Sequence, residues 1–373
     1  MRILALFVVA VLGFGLWGMG FSANPTRAMY GYLFAYVSAL TIPLGCIFYV
    51  LIQHLTRAGW SVLTRRMAEF GMAVVPMFAV LFLPIALLGH DLFPWSHAEH
   101  LDEILIKKTP YLNMPFFMVR AVVYFVIWSA VAIWFYRKSV AQDAGGRAEL
   151  SRTMGKVSTA AVILIALSTS FASFDWLMSL QPHWYSTVFG VYFFAGCFLS
   201  ALVFIAMMLM RSTVPVTAEH YQDIGKLLFG FTVFWAYIGF SQFMLYWYAN
   251  IPEETEFYMH RLHHGWEYIS YWLIVTNFFL PFFLIMSRHM KRYKPVFTIG
   301  CTWILLAHFL DIYWLVMPNA GDHHWWLSLP NDIGALVGML ALFLMAVAIL
   351  KRNKSAFPKG DPRLSESLAF ENY

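Results

Sequence analysis

Long apolar segments separated by short polar ones dominate this chain. Ten runs of roughly 20 residues are each long enough to cross the hydrocarbon core of a bilayer as a helix. A backbone in contact with lipid must satisfy its own hydrogen bonds, so these runs predict α-helices, and the alternating pattern of barrel strands does not occur. The predicted spans are 3–22, 29–54, 69–89, 114–137, 156–179, 186–210, 224–249, 265–287, 296–317 and 330–350.

The composition agrees with this pattern. The chain is 60% hydrophobic and 12% charged, with a mean hydropathy of +0.64, whereas a soluble domain carries roughly 25% charged residues. We therefore predict an all-α, polytopic membrane protein with about ten transmembrane helices. The first apolar run resembles a signal peptide, but it is long for one, and we expect it to be retained as a span.

Basic residues are divided unequally between the two predicted sides of the membrane. Of the 25 Lys and Arg residues, 20 lie before span 1, in or next to loops that follow even-numbered spans, or in the tail, and five lie on the other side. Positively charged loops favour the cytoplasm, so both termini are expected to be cytoplasmic. The net charge of +5 then follows from topology and does not indicate a nucleic-acid partner.

Two segments of the chain have similar sequences. Residues 174–182 read FDWLMSLQP and residues 310–318 read LDIYWLVMP, and each lies at the end of the fourth helix in a set of four. Both sets run in the same direction, so we predict a parallel repeat of two four-helix bundles with two flanking helices. The predicted boundaries are 1–28 for the first flanking helix, 29–185 and 186–322 for the bundles, 323–350 for the last flanking helix and 351–373 for a cytoplasmic, partner-facing tail.

The strongest candidate chemistry lies at the predicted outer ends of spans 3 and 5. His90 and Asp91 end span 3, and Asp175 lies at the end of span 5. Acids this close to the hydrocarbon region are costly and are often functional. A quinol hydroxyl must lose its proton as its electrons leave, and a histidine beside an acid is able to accept it. The alternative is that these residues cap helix ends and are hydrated at the interface.

A second group could form a proton path. His308 and Asp311 are three residues apart in span 9, so we expect them to share a helix face and to touch, either as a proton relay or as a pair that ties helices together. In span 7, Gln242 and Tyr246 lie at four-residue spacing and could line a polar path. Aromatic residues near an interface are also ordinary anchors, so this alternative stays open.

Two further charged residues have two interpretations each. Glu69, at the predicted inner start of span 3, is a candidate for proton uptake from the cytoplasm or a solvated helix end. Arg120, one turn into span 4, is expected to form a structural salt bridge with an acid such as Asp91 or Asp175. Its long side chain could also reach the lipid headgroups.

Redox cofactors are not expected in this chain. Of its histidines, only His308 lies well inside a predicted span, whereas a transmembrane b-haem usually needs paired histidine ligands. The three cysteines form no CxxC pair, and there is no glycine-rich nucleotide motif. We therefore predict no haem and no iron–sulfur cluster in this chain, so electrons would leave through a partner.

Three stretches carry a resemblance to a known family. SFDWLMSLQPHWYSTVFGVYFFAG at 173–196, QFMLYWYANIPEETEFY at 242–258 and DPRLSESLAFENY at 361–373 resemble the F subunit of bacterial alternative complex III. The resemblance covers nearly the whole chain, including the number of spans. That family is similar to the NrfD-like membrane subunits of polysulfide-reductase type, which implies two four-helix bundles without haem.

The resemblance implies a ligand and partners. The ligand would be a quinone or menaquinone in a pocket near the outer face of the first bundle, where His90, Asp91 and Asp175 fall by placement. The partners would be a second NrfD-like subunit, an iron–sulfur subunit, c-type haem subunits and small membrane subunits, with a terminal oxidase and lipids in addition. The location would be the bacterial inner (cytoplasmic) membrane.

We therefore expect a membrane subunit of a quinol:electron-acceptor (cytochrome c) oxidoreductase that contributes a quinone-related site, a proton-translocation path, or both. Two alternatives stay open. The chain could be a structural anchor of that complex without its own quinol site, or it could be a secondary transporter. A parallel repeat suits a transporter, but the acids cluster at one face and no span is obviously broken at mid-membrane.

Overall fold

The computed structural model describes residues 2–97, 102–145, 148–321 and 325–371. In these ranges the secondary structure is helical, without strands, and ten helices are long and apolar enough to cross a membrane. The prediction of an all-α, polytopic membrane protein is confirmed. Spans 1 to 10 are Ile3–Ala23, Pro25–Leu55, Val62–Asp91, Met114–Gln142, Ala148–Leu180, Phe189–Met210, Ala218–Ala249, Trp266–Met286, Lys294–Ala320 and Trp325–Lys351.

Two spans contain interruptions that the sequence did not indicate. Span 3 consists of the helices Val62–Met72, Val75–Leu81 and Leu83–Leu88, with prolines in the first turn of the second and third. Span 8 contains a π-helical turn at Val275–Phe279, just before Pro281. A proline lacks the N–H that would continue the helical ladder, which accounts for both positions. In each case helical turns resume at once, so the chain is kinked and not unwound.

Spans 2, 6 and 9 form the core of the molecule. Their most apolar windows are 94%, 78% and 67% buried, against 11%, 22% and 17% for spans 1, 7 and 8, which therefore lie at the periphery. Spans 2 and 6 approach closely at Gly45, where a Cβ would lie only 1.9 Å from the carbonyl oxygen of Cys197. The first helices of the two predicted bundles thus pack directly on each other.

Loops and helix ends gather at two sides of the molecule. We call the side with the start of span 1 and the end of span 10 the basic side, and the other the opposite side. The tail folds back over the basic side, where the Lys359 N–H donates to Asp143 and the Ser367 hydroxyl donates to the carbonyl of Trp60. The described part of the tail therefore packs on the chain itself, whereas the sequence indicated a partner-facing segment. The predicted boundary at 322/323 lies outside the described residues.

Candidate functional site

Asp175, near the end of span 5, is fully enclosed. Arg120 donates from Nε and Nη2 to its two carboxylate oxygens at 2.8 and 2.9 Å, and the Tyr124 hydroxyl donates at 2.8 Å. Arg120 and Tyr124 are four residues apart on span 4, so one helix face supplies all three bonds. The guanidinium also lies 3.9 Å from the ring centre of Tyr111. Arg120 therefore forms a salt bridge with Asp175, which is one of the roles predicted for it.

His90 and Asp91 lie in a short 3₁₀ turn at the end of span 3, and both side chains are exposed. His90 Nδ1 is 3.0 Å from the hydroxyl of Ser96, and its ring centre is 4.2 Å from that of His97. Within the described ranges, no hydrogen bond or ion pair joins either residue to Asp175. His90 thus contacts residues of its own loop, whereas Asp175 contacts span 4.

Asp311, in the last third of span 9, has different surroundings. It is 2% exposed, and the Tyr192 hydroxyl of span 6 donates to Oδ1. The Trp235 indole N–H of span 7 donates to Oδ2 at 3.1 Å. No Lys, Arg or His pairs with Asp311 in the part of the chain that the structure describes. Asp311 therefore lacks the fixed counter-charge that Asp175 has, and burial of an uncompensated charge is costly.

His308 lies one turn before Asp311 but faces another helix. Its Nε2 is 2.9 Å from the hydroxyl of Thr41 in span 2. The hydroxyl of Thr41 is in turn 3.3 Å from the hydroxyl of Ser200 in span 6. Gly196 makes room for the imidazole, because a Cβ there would lie 2.8 Å from Cε1. The predicted contact between His308 and Asp311 is not found among the hydrogen bonds of the described residues.

Sequence reasoning missed three polar residues in the network around span 9. Tyr192 and Thr41 bond to span 9, and Ser200 bonds to Thr41. On span 6, Tyr192, Gly196 and Ser200 follow one another at four-residue spacing, so these three residues share one face of the helix. That four-residue spacing of polar and small residues was the available signal. Together with span 9, this face places a line of polar groups inside the second predicted bundle, and Thr41 of span 2 extends the line to the first bundle.

Gln242 and Tyr246 hold the connection between spans 5 and 6 against span 7. Gln242 is buried, accepts from the Ser186 hydroxyl at 3.0 Å and donates to the Tyr258 hydroxyl at 3.1 Å. The Tyr246 hydroxyl donates to the carbonyl of Tyr185 at 2.5 Å. These contacts fix the loop between spans 5 and 6, and both interpretations of the pair, a polar path and an anchor at the membrane interface, stay predictions.

Glu69 is also fully buried, on the basic side. Arg65 Nε lies 3.1 Å and Arg66 Nε 2.9 Å from its carboxylate oxygens, and the Ser139 hydroxyl donates at 2.7 Å. Glu69 is therefore not the solvated helix end that was one of its two interpretations. It belongs to a closed ionic cluster that includes residues from spans 3 and 4.

The cluster continues into the loop after span 4 and into the tail. Arg65 pairs with Asp361 at 2.6 Å, and Arg66 pairs with Asp143 at 2.9 Å. Because these carboxylates compensate both arginines in place, span 3 begins at Val62, seven residues before its predicted start. The prediction that treated Arg65 and Arg66 as loop charges was wrong for this reason.

A fourth enclosed carboxylate, Asp332 in span 10, was missed. Arg27 Nη1 and Nη2 donate to its two oxygens at 3.0 and 2.8 Å, and the Tyr313 hydroxyl donates at 3.0 Å. The group repeats the Arg–Asp–Tyr set around Asp175 and ties span 10 to spans 2 and 9. An acid within an apolar run was the available signal, since the same reasoning singled out Asp175.

Arg261, in the connection between spans 7 and 8, is 1% exposed and has no carboxylate partner in the described ranges. Its guanidinium donates to the carbonyls of Trp314 and Leu315 at 3.1 and 3.0 Å, near the end of the span 9 helix. It also donates to Gln181 at 3.0 Å and lies 3.6 Å from the ring centre of Phe257. Helix C-termini carry unsatisfied carbonyls that a cation stabilises, so Arg261 caps span 9.

An open groove of about 600 Å³ lies on the opposite side, between spans 8, 9 and 10. The indole N–H of Trp325 is buried there without a hydrogen-bond partner among the described residues. Aromatic walls with a few polar groups are typical of sites for flat amphipathic ligands. The residues that give the groove this character are His264, Glu267, Tyr268, Trp272, Trp325 and Trp326.

The predicted pocket of the first bundle and the groove differ in how well they fit a quinone ring. Both oxygens of Asp175 are engaged and the side chain is inaccessible, so it presents no acceptor in this conformation. In the predicted first-bundle pocket, only His90 and Asp91 are within reach of a ligand. The groove offers ring faces, a carboxylate and an imidazole, which fit a quinone headgroup better.

Ten spans, enclosed carboxylates and an aromatic groove on one side define a multi-pass, α-helical membrane protein. No protein-family model matches the chain, and no curated protein matches it.

Proposed function

We propose that this chain is a membrane subunit of a quinol:electron-acceptor oxidoreductase in the bacterial inner membrane, and that it carries protons through its second bundle. The observation that carries the proposal is Asp311, a buried carboxylate that a tyrosine and a tryptophan hold without a cation from the described residues. The motifs at 173–196, 242–258 and 361–373 support the assignment to the alternative complex III type. Both termini are then cytoplasmic, in keeping with the basic loops.

The proposed proton path follows the polar line inside the second bundle and reaches the first bundle at Thr41. From Asp311 and Tyr192 it leads to His308 and then to the hydroxyl of Thr41. Imidazole and hydroxyl groups both donate and accept, which a relay requires. On the basic side, the path begins at the cluster around Glu69.

Two gaps in this path need water. Among the described residues no hydrogen bond joins Asp311 to His308, so the first gap lies between these two side chains. Beyond Thr41, the next hydroxyl on the same helix is that of Tyr49, 2.6 Å from the hydroxyl of Thr64. Thr41 and Tyr49 are eight residues apart, which is about 12 Å of helix rise. Ordered water in both gaps completes the connection.

The groove is the better candidate for the quinone-related site. A bound quinol supplies two electrons and two protons. Glu267 and His264 offer acceptors for the protons. The partner iron–sulfur and c-type haem subunits, with a second NrfD-like subunit, would take the electrons. The pocket at His90, Asp91 and Asp175 stays a prediction.

The proposal is tested by Asp311→Asn in the intact complex, isolated from its native membranes by a tag on this chain. We expect wild-type haem content, because the amide keeps the shape, and a loss of proton release by about tenfold or more. Asp311→Glu should restore proton release. An assembled Asp311→Asn complex that oxidises quinol and releases protons at the wild-type rate would leave the chain as a structural anchor.

The isolation itself tests the assignment to a redox complex. Haem and iron–sulfur absorbance should copurify with the tagged chain, together with quinol:acceptor activity. A chain that is isolated alone in a mild detergent, without either absorbance, would contradict the proposal. That result would favour the secondary transporter.

A further inference from the structure

Basic residues are concentrated where spans 7, 8 and 9 meet on the basic side. The short helix Arg288–Arg292 follows span 8 and packs against the beginning of span 7. Two carboxylates compensate part of this charge, since Asp223 pairs with Lys226 at 2.8 Å and Glu219 pairs with Arg292. The junction keeps an excess of positive charge, from Lys226, Arg288, Lys291, Arg292 and Lys294.

Lys291 is the unusual member of this group. It is 6% exposed and has no carboxylate partner in the described ranges. Its stem lies against Gly225 of span 7, where a Cβ would come within 2.6 Å of Cγ and Cδ. The stem is buried while the ammonium has no anion among the described residues, so its charge is available to an anion from outside the chain.

Aromatic rings hold the ammonium groups in place. Lys291 Nζ lies 5.5 Å from the ring centre of Phe229, and Lys294 Nζ lies 5.4 Å from that of Tyr221. Such contacts orient a cation without removing its charge. Burial and the nearby charge of Lys226 lower the pKa of Lys291, which is the expected effect where cations are grouped without enough anions.

The surface next to these cations is apolar and faces outward. Spans 7 and 8 are among the least buried of the ten, and Phe283, Met286 and Tyr293 are 63%, 51% and 63% exposed. Phe283 and Met286 lie at most about two turns from the basic cluster along span 8, on the membrane side. A ligand that meets both surfaces has an anionic head and a long apolar tail.

We propose that Lys226, Lys291 and Lys294 bind the phosphate group of an anionic phospholipid, whose acyl chains lie against Phe283 and Met286. Basic pockets between membrane helices bind such headgroups through charge and hydrogen bonds. The site is separate from the proton path and the groove, and it does not depend on the proposed redox function.

The experiment compares two triple variants of the full chain in its isolated form. Lys226→Gln, Lys291→Met and Lys294→Gln remove the site, whereas Lys138→Gln, Lys156→Gln and Lys354→Gln remove as many charges elsewhere on the basic side. After delipidation, each protein is titrated with phosphatidylglycerol, phosphatidylcholine or inorganic phosphate. Thermal unfolding and native mass spectrometry of retained lipid give the two measurements.

Phosphatidylglycerol should raise the Tm of the wild type and of the control variant, and phosphatidylcholine should not. The site variant should bind phosphatidylglycerol about a hundredfold more weakly. Equal effects of the two lipids, an equal loss in both variants, or full stabilisation by inorganic phosphate alone would overturn the proposal. If the triple variant does not fold, exposed Lys294 is changed alone to Gln or Glu, and unchanged lipid retention in both would overturn it as well.

Discussion

Arg120 and Asp175 form a two-point ion pair that is closed to solvent, with nitrogen–oxygen distances of 2.8 and 2.9 Å. Asp311 lies at the matching place of the second sequence motif, yet among the described residues only neutral donors bond to it. The two acids of the repeat therefore have opposite electrostatic settings. Asp175 has a fixed counter-charge, which suits a structural role. Asp311 has no counter-charge among the described residues.

Loss of Arg120 should destabilise the protein strongly. In Arg120→Met, Asp175 stays buried without its cation, which costs about 3–5 kcal/mol for a broken buried pair. The double variant Arg120→Met/Asp175→Asn should recover much of this, because the uncompensated charge is gone. Thermal unfolding of the purified chain measures both. A single variant as stable as the wild type would show that the pair contributes little.

The two donors to Asp311 should differ in function. Tyr192→Phe removes a hydroxyl that both donates and accepts, whereas Trp235→Phe removes an N–H that only donates. Each should cost about 1–3 kcal/mol of stability. Only Tyr192→Phe should also reduce proton release by the intact complex. Equal rates in the two variants would place Tyr192 outside the relay.

The tail contacts should contribute measurable stability. Asp361→Asn weakens the 2.6 Å pair with buried Arg65 and should cost about 1.5–3 kcal/mol. Glu366→Gln is the matched control, because its pair with Arg363 is exposed and contributes little to stability. Hydrogen exchange at Val62–Met72 should rise in the first variant alone. The same exchange in both would show that the tail does not hold span 3.

The loop on the opposite side should loosen in acid. His183 lies 2.7 Å from Asp102, the N-cap of the helix Glu103–Lys108. The Leu105 N–H and then His183 hold the pKa of the Asp102 carboxyl below its ordinary value. A lowered folded-state pKa stabilises the helix above the ordinary value of about 4, and this stabilisation is lost as the pH falls through the folded-state pKa.

Hydrogen exchange of this helix against pH provides the measurement. In the wild type, exchange should rise only below about pH 4. In His183→Gln the rise should begin at a higher pH, because one of the two main donors has lost its charge. Identical pH profiles would remove His183 from the contact.

Local pattern accounts for the helices but not for the partners of their polar groups. Apolar length alone located all ten spans, because lipid leaves the backbone few alternatives. The start of span 3 was misplaced because Asp361, almost 300 residues away, compensates Arg65. His308 and Asp311 share a helix, yet spans 2, 6 and 7 determine what each one contacts.

The hydroxyl of Ser367 lies within hydrogen-bonding distance of the Trp60 carbonyl, the Leu63 N–H and the imidazole of His220. It thus joins the loop before span 3 to the beginning of span 7, which belong to different predicted bundles. These residues leave the ribosome after all ten spans have been synthesised. The tail can therefore close over the Glu69 cluster only after the last span has been synthesised.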